Sequence, residues 1–564
     1  MTAVTNSIRR FWFIFGLTAA LAWATPQNAN TPSPRISIGG YRIAGTVVSK
    51  VDGRPLAQAR ITVREAKDPQ KFEFIITSEN GKFEFNGVPA GKYSLSGAKR
   101  GFISASYDQH DQYSTAIVTG AGLDTENLLL RLAPDAVIAG KVLDEANDPV
   151  RHAAVTLYYD DHSSGVDEIR QFRSAETNDV GEYELTPLIP GTYFLAANGK
   201  PWYAVHPQSE VQIAEPGVAE SVPQEEAAPP MDRSLDVAYP VTYYPDVTEA
   251  DDAMPIPIRG GERVEADIHL NPVPSLRLIF RVPDDGTHRV FFPQIQQTSF
   301  EGYTNFQANM RNLGSQGVLE VTGIPAGRYN FSLQRPEGTV QMNGVAITKD
   351  GEEIDTAKGE VLSSVEFSVH IAGEAKLPEH LWVGLRSGSR VVAVGQAFDS
   401  KGEAELQQVA AGKYEVLIWG MGSRYSVARM SVDGAQVSGH ALSVVAGSSP
   451  SVSLTVVTGN AEIQGTATRA GKGFAGAMVV LVPKNPEADR ELFRRDQSDL
   501  DGTFLLRNVI PGSYTLLAIE NGWDLDWSQP GVIASYLKRG RKVEIGNQAG
   551  GPMNAAEVIE VQSK

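Results

Sequence analysis

Two short aromatic segments carry the side chains of this sequence that are best suited to binding a ligand. The candidates are Trp202, Tyr203, Trp523, Asp524, Asp526 and Trp527. Aromatic rings stack on the apolar faces of sugars, while carboxylates and amides bond to the sugar hydroxyls. The two segments therefore indicate carbohydrate recognition. The competing interpretation is that the rings cap the ends of their domains or pack against a neighbouring domain, where large rings are common filler.

Catalytic motifs are missing from the sequence. None of the nine histidines lies in His-x-x-Glu or His-Glu-x-x-His, the spacings that bring imidazoles and a carboxylate to one zinc ion. The Gly-x-Ser-x-Gly elbow, the Walker loop and a Gly-x-Gly-x-x-Gly fingerprint after a strand are also absent. With no cysteine, disulfides, thiolate metal sites and cysteine nucleophiles are excluded. We predict a non-enzymatic protein without catalytic residues or cofactor; the alternative is an active site assembled from scattered strands.

Two acidic stretches resemble parts of metal-binding loops. Residues 160–162 are Asp-Asp-His, and residues 499–502 are Asp-Leu-Asp-Gly. Adjacent acids in a loop are more often simply solvated than bound to a cation. Asn80, Asn178 and Asp399 precede equivalent glycines elsewhere in the chain, so the tendency of Asn and Asp to form turns explains the second stretch as well. We predict no metal site.

Charge and hydropathy limit the classes of partner. Lys and Arg total 50 against 67 Asp and Glu, so the net charge of −17 disfavours nucleic acid and anionic membrane surfaces. Arg9 and Arg10 precede an apolar run at residues 11–22, and Ala22-Trp-Ala24 fits a cleavage site, so residues 1–24 are predicted to be a signal peptide. No later stretch has 18 uninterrupted apolar residues. We therefore expect export to the periplasm or the cell exterior, with no membrane span after cleavage.

An internal repeat predicts the elements that position these side chains. Its pattern is a glycine, nine residues, a second glycine, one residue and a tyrosine, with alternating apolar residues after the first glycine. The five copies are Gly81-Gly91-Tyr93, Gly181-Gly191-Tyr193, Gly317-Gly327-Tyr329, Gly402-Gly412-Tyr414 and Gly502-Gly512-Tyr514. Period-two alternation on both sides of a turn predicts a β-hairpin. The tyrosine resembles a corner tyrosine, with its ring in the core and its hydroxyl on a backbone partner.

The first copy resembles the carboxypeptidase regulatory-like domain, a transthyretin-like β-sandwich. The resemblance rests on Gly45, Val47, Pro55, Leu56, Ile61, Val63, Asn80, Gly81, Phe83, Val88, Pro89, Gly91 and Tyr93. Copies two and five are nearly as similar, whereas copies three and four match only in the Gly-Gly-Tyr pattern and a closing strand. Residues 243–246 and 255–262 resemble the ends of such domains in large exported bacterial proteins. The resemblance implies the fold; its known roles include adhesion, scaffolding and carbohydrate-binding-like functions.

These observations predict an all-β protein, a tandem array of about five transthyretin-like or immunoglobulin-like sandwiches. The predicted segments are the signal peptide 1–24, a linker 25–40, and sandwiches at 41–133, 134–271, 272–371, 372–457 and 458–564. The second sandwich is expected to contain an acidic, Pro-rich insertion at 214–252. We expect an exported protein that binds carbohydrate or a cell-surface polymer. The first alternative is a structural or protein-interaction array at the cell envelope, and the second is an accessory part of a peptidase system.

Overall fold

A computed structural model describes most of the chain. The described residues are 39–206, 233–281, 292–300, 302–306, 308–312, 318–335, 338–373, 376–388, 390–437, 439–546 and 554–564. The predicted signal peptide and nearly all of the predicted linker lie outside them, as does Gly317. No helix in these ranges is long and apolar enough to cross a membrane. The strands group around five main hydrophobic cores, and we call the corresponding assemblies units 1 to 5 in chain order; their independence as five domains stays a prediction.

Units 1 and 2 are built from short, mostly antiparallel strands. Unit 1 contains β1 (Tyr41–Ser49), β2 (Arg60–Glu65), β3 (Phe72–Ile76), β4 (Lys82–Val88), β5 (Gly91–Ala98), β6 (Ala105–Ser106), β7 (Ile117–Thr119) and β8 (Leu128–Leu132). Unit 2 contains β9 (Ala136–Leu143), β10 (Ala154–Asp161), β11 (Glu168–Glu176), β12 (Glu182–Leu188), β13 (Gly191–Asn198), β14 (Val237–Ala238), β15 (Thr242–Tyr243), β16 (Ile256–Ile258), β17 (Arg263–Glu265) and β18 (Ile268–His269). The short strand β19 (Val273–Pro274) follows and pairs with β14.

Units 3 to 5 follow the same plan. Unit 3 contains β20 (Leu276–Arg281), β21 (Gln294–Ser299), β22 (Gly302–Asn305), β23 (Asn309–Asn312), β24 (Val318–Ile324), β25 (Gly327–Arg335), β26 (Gly338–Ile347), β27 (Glu352–Asp355) and β28 (Glu360–Val361). Unit 4 contains β29 (Ser363–Ile371), β30 (Leu381–Ser387), β31 (Arg390–Ala397), β32 (Glu403–Val409), β33 (Gly412–Gly420), β34 (Arg424–Val432), β35 (Ala435–Val437), β36 (Ala441–Val444) and β37 (Ser451–Gly459). Unit 5 contains β38 (Ala461–Arg469), β39 (Lys472–Gly473), β40 (Met478–Pro483), β41 (Arg494–Gln497), β42 (Thr503–Val509), β43 (Gly512–Ile519), α1 (Pro530–Leu537), β44 (Arg541–Ile545) and β45 (Asn554–Glu560).

Five short 3-10 helices complete the described elements. They span Arg233–Leu235, Ala250–Asp252, Thr356–Lys358, Arg490–Leu492 and Gly522–Asp524. The one α-helix is only eight residues long and lies in the loop after β43. The described chain is therefore an all-β protein, as the sequence predicts, although the repeat pattern gave no signal for this helix.

All five units share one arrangement of strands. The first strand of each unit lies between an antiparallel neighbour from the repeat and a parallel closing strand, as β1 lies between β4 and β8. The equivalent trios are β12-β9-β17, β24-β20-β27, β32-β29-β37 and β42-β38-β45. A second antiparallel pair, such as β2 with β5, covers the other side of the core. Side chains from both layers meet between them, as alternation in a two-layer sandwich requires.

The predicted hairpin of the repeat is wrong. In unit 1, β4 pairs with β1 while β5 pairs with β2, so the two strands of the repeat belong to different layers. The other units likewise lack pairing between these two strands, although in unit 4 both layers join in one nine-stranded sheet. Period-two alternation cannot distinguish a hairpin from a crossing between layers, because both have two half-buried strands separated by a turn.

The tyrosine marks this crossing in every unit. The five hydroxyls donate to the carbonyl oxygen four residues earlier; the pairs are Tyr93–Pro89 (3.2 Å), Tyr193–Ile189 (2.8 Å), Tyr329–Pro325 (2.9 Å), Tyr414–Ala410 (2.8 Å) and Tyr514–Ile510 (2.7 Å). The glycine two residues before the tyrosine leaves room for the ring. A Cβ on Gly412 would lie 3.1 Å from the Tyr414 hydroxyl. The Gly-x-Tyr spacing thus combines a close ring–backbone approach with a hydrogen bond that holds the turn.

Pairing also corrects the predicted boundary between the third and fourth sandwiches. The strand containing Val365, Phe367 and Val369 was expected to close the third sandwich at residue 371. It is instead β29, the first strand of unit 4, because it pairs with β32 and β37. The closing strand of unit 3 is the earlier β27, parallel to β20. Closing and opening strands have the same alternating pattern, so the sequence alone does not distinguish them.

The later part of the expected insertion at 214–252 belongs to the sandwich of unit 2 itself. Residues 214–232 lie outside the described residues. The later part belongs to unit 2, since β15 pairs with β13 and Tyr239, Val241 and Tyr243 are buried. The sequence signal for this part is the alternation Tyr-x-Val-x-Tyr. Sequence reasoning missed it because acidic residues surround it.

We predict that the corner hydroxyl and ring contribute separately to stability. Tyr193→Phe should lower the free energy of unfolding by about 1 kcal/mol through loss of the bond to Ile189, and Tyr193→Ala by about 3–5 kcal/mol through loss of the buried ring. Chemical denaturation followed by near-ultraviolet circular dichroism measures both. Trp202→Ala removes an exposed ring and is the control. It should leave the free energy of unfolding unchanged. Equal stability of Tyr193→Ala and wild type would contradict the corner interpretation.

Candidate functional site

Trp202 is the most exposed large apolar side chain of the described chain, with 87% of its surface accessible. It follows β13 of unit 2. Its ring meets the Tyr203 ring edge-on, with centroids 5.9 Å apart and planes at 88°. The Tyr203 hydroxyl donates to Glu145, which also accepts a 3.1 Å hydrogen bond from Tyr239. Burial and the neighbouring Glu145 raise the pKa of Tyr203 to about 12, so the hydroxyl remains a donor at neutral pH.

A cleft of about 630 Å³ lies between units 2 and 3. Pro201, which directly precedes Trp202, lines the cleft. Asparagines line it from both units, with Asn198 on one side and Asn305 and Asn309 on the other. Each amide offers two donors and an acceptor, the groups that bind sugar hydroxyls. The cleft therefore has hydrogen-bonding residues in its lining, and the strongly exposed Trp202 directly follows one of its lining residues in sequence.

Direct packing holds the two units together next to the cleft. Phe300 of unit 3 packs against Tyr158 and Tyr243 of unit 2, with ring centroids 4.8 and 5.4 Å away. The Ser299 hydroxyl lies 2.9 Å from the Tyr158 hydroxyl. An apolar contact with a buried hydrogen bond resists opening, so the cleft walls have a defined separation.

The second predicted aromatic site is not a free platform. Trp523 and Trp527 are only 9% and 8% exposed. The Trp523 ring stacks on His110 of unit 1 at 5.0 Å, and the Arg495 guanidinium lies 4.2 Å from the centre of the Trp527 ring. A sugar needs an open ring face, and neighbouring groups cover these faces. The rings' location corresponds to the competing interpretation, packing against a neighbouring unit.

The acids between these tryptophans have protein partners. Asp524 pairs with Lys564 at 2.5 Å, and this lysine lowers the pKa of the Asp524 carboxyl. Asp526 accepts a 2.9 Å hydrogen bond from Gln529. The two tryptophans are therefore covered, and the two acids are bound by Lys564 and Gln529 of their own unit. Trp202 and Tyr203 remain the predicted binding residues that have an open neighbourhood.

The contact between units 1, 2 and 5 centres on Arg495, which sequence reasoning missed. Its side chain is 5% exposed and donates to the Ser163 carbonyl of unit 2 at 2.9 Å. It also lies 3.4 Å from the Asp111 carboxylate of unit 1. We call this assembly the three-unit junction. No sequence spacing could reveal it, because Arg495 is more than 300 positions from both partners.

Polar pairs extend the junction between units 1 and 5. Lys92 lies 2.6 Å from the Asp499 carboxylate and 2.7 Å from the Thr503 hydroxyl. The Gln497 amide donates to the buried Thr115 hydroxyl at 2.8 Å. Burial raises the pKa of Asp499, although the ion pair with Lys92 opposes this change. Because Asp499 binds Lys92 across the junction, it does more than form the turn predicted for it.

Two groups of side chains have the composition of a metal site. His162 of unit 2 lies near Asp167 and near Asp526 of unit 5, while Glu415 and His440 of unit 4 lie near Glu491 of unit 5. Within each group, the potential ligand atoms are within 4.8 Å of one another. Both groups cross between units: His162 and Asp167 are five residues apart but Asp526 is distant in sequence, and in the second group Glu415, His440 and Glu491 are all far apart in sequence.

The chain's fold class is established by its strands, and one segment has a recognisable family. Residues 42–122 match the model of the carboxypeptidase regulatory-like domain, which agrees with the resemblance seen in the sequence. The match covers most of unit 1. No curated protein sequence matches the chain.

Three solved structures show partial similarity to this chain. The Bacillus anthracis TIE protein is 10% identical, with 74% of this chain and 73% of that chain covered and a TM-score of 0.16. The two B repeat units of the Staphylococcus aureus collagen binding protein are 11% identical, with 74% and 99% covered and a TM-score of 0.12. BcpA, the major pilin subunit of Bacillus cereus, is 10% identical, with 93% and 99% covered and a TM-score of 0.14. At these scores the likeness supports no conclusion about this chain's function.

We predict that Asp496, beside the junction, destabilises the protein above about pH 6. Burial raises its pKa to about 6, above the unfolded value of about 3.9. The folded state therefore binds the extra proton in this window, and the free energy of unfolding falls as the pH rises from about 4 to 6. At pH 7.5, Asp496→Asn should raise the free energy of unfolding by about 1–3 kcal/mol and so raise the unfolding temperature. At pH 4 it should have little effect.

Asp399 is the matched control for this pH dependence. Backbone hydrogen bonds, foremost from Glu403, lower the pKa of its exposed carboxyl, so its contribution has the opposite sign and is lost as the pH falls. Asp399→Asn should therefore slightly lower the unfolding temperature at pH 7.5. A lower unfolding temperature for Asp496→Asn than for wild type at pH 7.5 would contradict the prediction.

Proposed function

We propose that this chain is an exported, non-enzymatic, multi-domain β-sandwich protein that binds carbohydrate or a cell-surface polymer in the cleft between units 2 and 3. The observation that carries the proposal is the 87% exposed Trp202 ring, which directly follows Pro201 in the lining of a cleft of about 630 Å³. Exposing an entire indole to water is unfavourable, and a ligand that covers it recovers this free energy. The export assignment rests on the predicted signal sequence.

The chemistry of the cleft favours a sugar over an apolar ligand. Asn198, Asn305 and Asn309 can each donate and accept, which suits the neighbouring hydroxyls of a sugar ring. The indole of Trp202 supplies the stacking surface. Tyr203, fixed by Glu145, supports one edge of that indole, so less conformational freedom is lost on binding.

Architecture supports a second candidate function, a structural or protein-interaction array at the cell envelope. The three-unit junction joins the first and last units, which are separated by roughly 400 residues in sequence, as the Lys92–Asp499 pair illustrates. Such a contact fixes the relative positions of the units without any ligand. An array with this function needs no ligand in the cleft. Carbohydrate binding therefore requires the Trp202 ring, whereas the array does not.

A pair of tryptophan substitutions distinguishes the two functions. For a carbohydrate-binding protein, Trp202→Ala should weaken glycan binding by about 1–3 kcal/mol, the scale of aromatic stacking, and leave the unfolding temperature unchanged. Trp523→Ala should lower the unfolding temperature, because it removes a buried ring from the junction, and leave glycan affinity unchanged. The measurements are a glycan array with wild-type protein, followed by titration calorimetry of each variant.

The controls make a negative result informative. Phe74→Ala removes another exposed ring, 57% accessible and in unit 1, and should not affect binding. Two results together would favour the structural array. Wild type would bind no glycan or envelope polymer, and Trp202→Ala would pull down the same envelope proteins as wild type.

A further inference from the structure

The contact between units 4 and 5 contains carboxylate oxygens that the protein does not satisfy. Among the described residues, both side-chain oxygens of Glu491 and one oxygen of Glu415 are buried without a hydrogen-bond partner. Unpartnered buried carboxylate oxygens lose their hydration without compensation, which costs several kcal/mol unless a counter-charge is present. These three oxygens point to a missing partner.

Arg386 does not supply that partner completely. Its Nε and Nη2 atoms both donate to the same Glu415 oxygen, at 3.0 and 2.6 Å, and leave the other oxygen free. The distance from Arg386 Nη2 to the nearest Glu491 oxygen is 4.0 Å, beyond hydrogen-bond range. One guanidinium therefore faces two carboxylates and binds only one.

His440 completes a set of ligand types beside these oxygens. Its Nδ1 atom lies 3.8 Å from Glu491 Oε1, and its side chain is 20% exposed. Its carbonyl accepts a 3.0 Å hydrogen bond from the Val416 amide, which holds it beside Glu415. Glu491 lies on the short 3-10 helix Arg490–Leu492. Its backbone carbonyl accepts a 2.7 Å hydrogen bond from the Arg494 side chain. Backbone contacts thus fix all three side chains at their bases.

We propose that Glu415, His440 and Glu491 bind a divalent transition-metal ion, of which Zn²⁺ is the best match, between units 4 and 5. One imidazole and two carboxylates suit Zn²⁺, whereas Ca²⁺ takes six to eight oxygen ligands. Tetrahedral ligands about 2.0–2.2 Å from zinc are about 3.4 Å apart, so atoms within 4.8 Å reach the ion by small side-chain rotations. Water supplies the fourth ligand.

The other group of potential metal ligands, His162, Asp167 and Asp526, has no buried oxygen or nitrogen that requires an ion. His162 Nδ1 lies 2.6 Å from Asp167 Oδ1, and its Nε2 lies 2.9 Å from the Leu525 carbonyl. Both ring nitrogens therefore have hydrogen-bond acceptors, and the protein satisfies this histidine without a metal. This group is the matched control for the proposed site.

The ion would join two units through side chains from each. Glu415 and His440 come from unit 4, and Glu491 comes from unit 5. Because binding to the folded chain alone stabilises it, Zn²⁺ should raise the unfolding temperature of the full chain. This role is independent of the cleft between units 2 and 3 and does not require the proposed carbohydrate function.

Zn²⁺ titration of the full chain, after removal of metal with a chelator, tests the site. Calorimetry with a competing chelator should detect one tight site in wild type. Glu491→Gln and His440→Gln should each reduce its affinity about tenfold or more, since even partners of metal ligands have effects of this size. His162→Gln should leave the affinity unchanged, and Ca²⁺ should not compete.

Circular dichroism without metal separates lost binding from lost folding, and His440→Gln serves if Glu491→Gln does not fold. Three results would overturn the proposal: no tight Zn²⁺ site in wild type, undiminished affinity in both folded variants, or loss of the site in His162→Gln alone. Glycan affinity is also measured after the metal has been removed. Because the cleft does not contain the metal site, this measurement tests the proposed function separately from the metal site.

Discussion

The hydrogen bond from each repeat tyrosine to the carbonyl four residues earlier fixes the crossing between the layers of every unit. A sandwich needs its chain to leave one layer and enter the other without exposing backbone groups in the core. The Tyr329 hydroxyl, for example, satisfies the Pro325 carbonyl at this turn while its ring fills the end of the core. The same bond then determines where β25 begins and which of its residues face inward.

Sequence patterns predicted the strand type and the repeat because both depend on neighbouring residues. Apolar alternation along β4 and β5 follows from local chain geometry, and the positive φ of Gly181, with an added Cβ 2.8 Å from the Val142 carbonyl, explains a glycine there. Pairing between strands was less predictable. β29 has the alternation of both an opening and a closing strand, and only its contacts with β32 and β37 assign it to unit 4.

The candidate site was predictable to the same extent. Trp202 and Trp523 occupy corresponding loops after β13 and β43, and their residue types are equally suited to binding. What separates them is burial: one ring is 87% exposed, whereas His110 from another unit covers the other. That covering depends on Arg495 and on contacts spanning hundreds of residues, which no spacing encodes. The residues around Glu491 escaped notice for the same reason, since His440 and Glu491 meet only after two units dock.

The three-unit junction illustrates how a buried cation can be retained without a single strong counter-ion. Arg495 has 5% of its side chain exposed, and its one ion pair among the described residues, with Asp111, has a distance of 3.4 Å. The Ser163 carbonyl and the Trp527 ring supply the remaining compensation, since a carbonyl accepts directly and the face of an indole attracts a guanidinium. The Tyr113 and Trp523 ring centres lie 5.2 and 5.9 Å from the same guanidinium, so groups from three units share the compensation of its charge. Because separating unit 1 or unit 2 from unit 5 leaves this charge less compensated, the arrangement favours the assembled chain, and the Trp527 ring is held in packing by the same guanidinium.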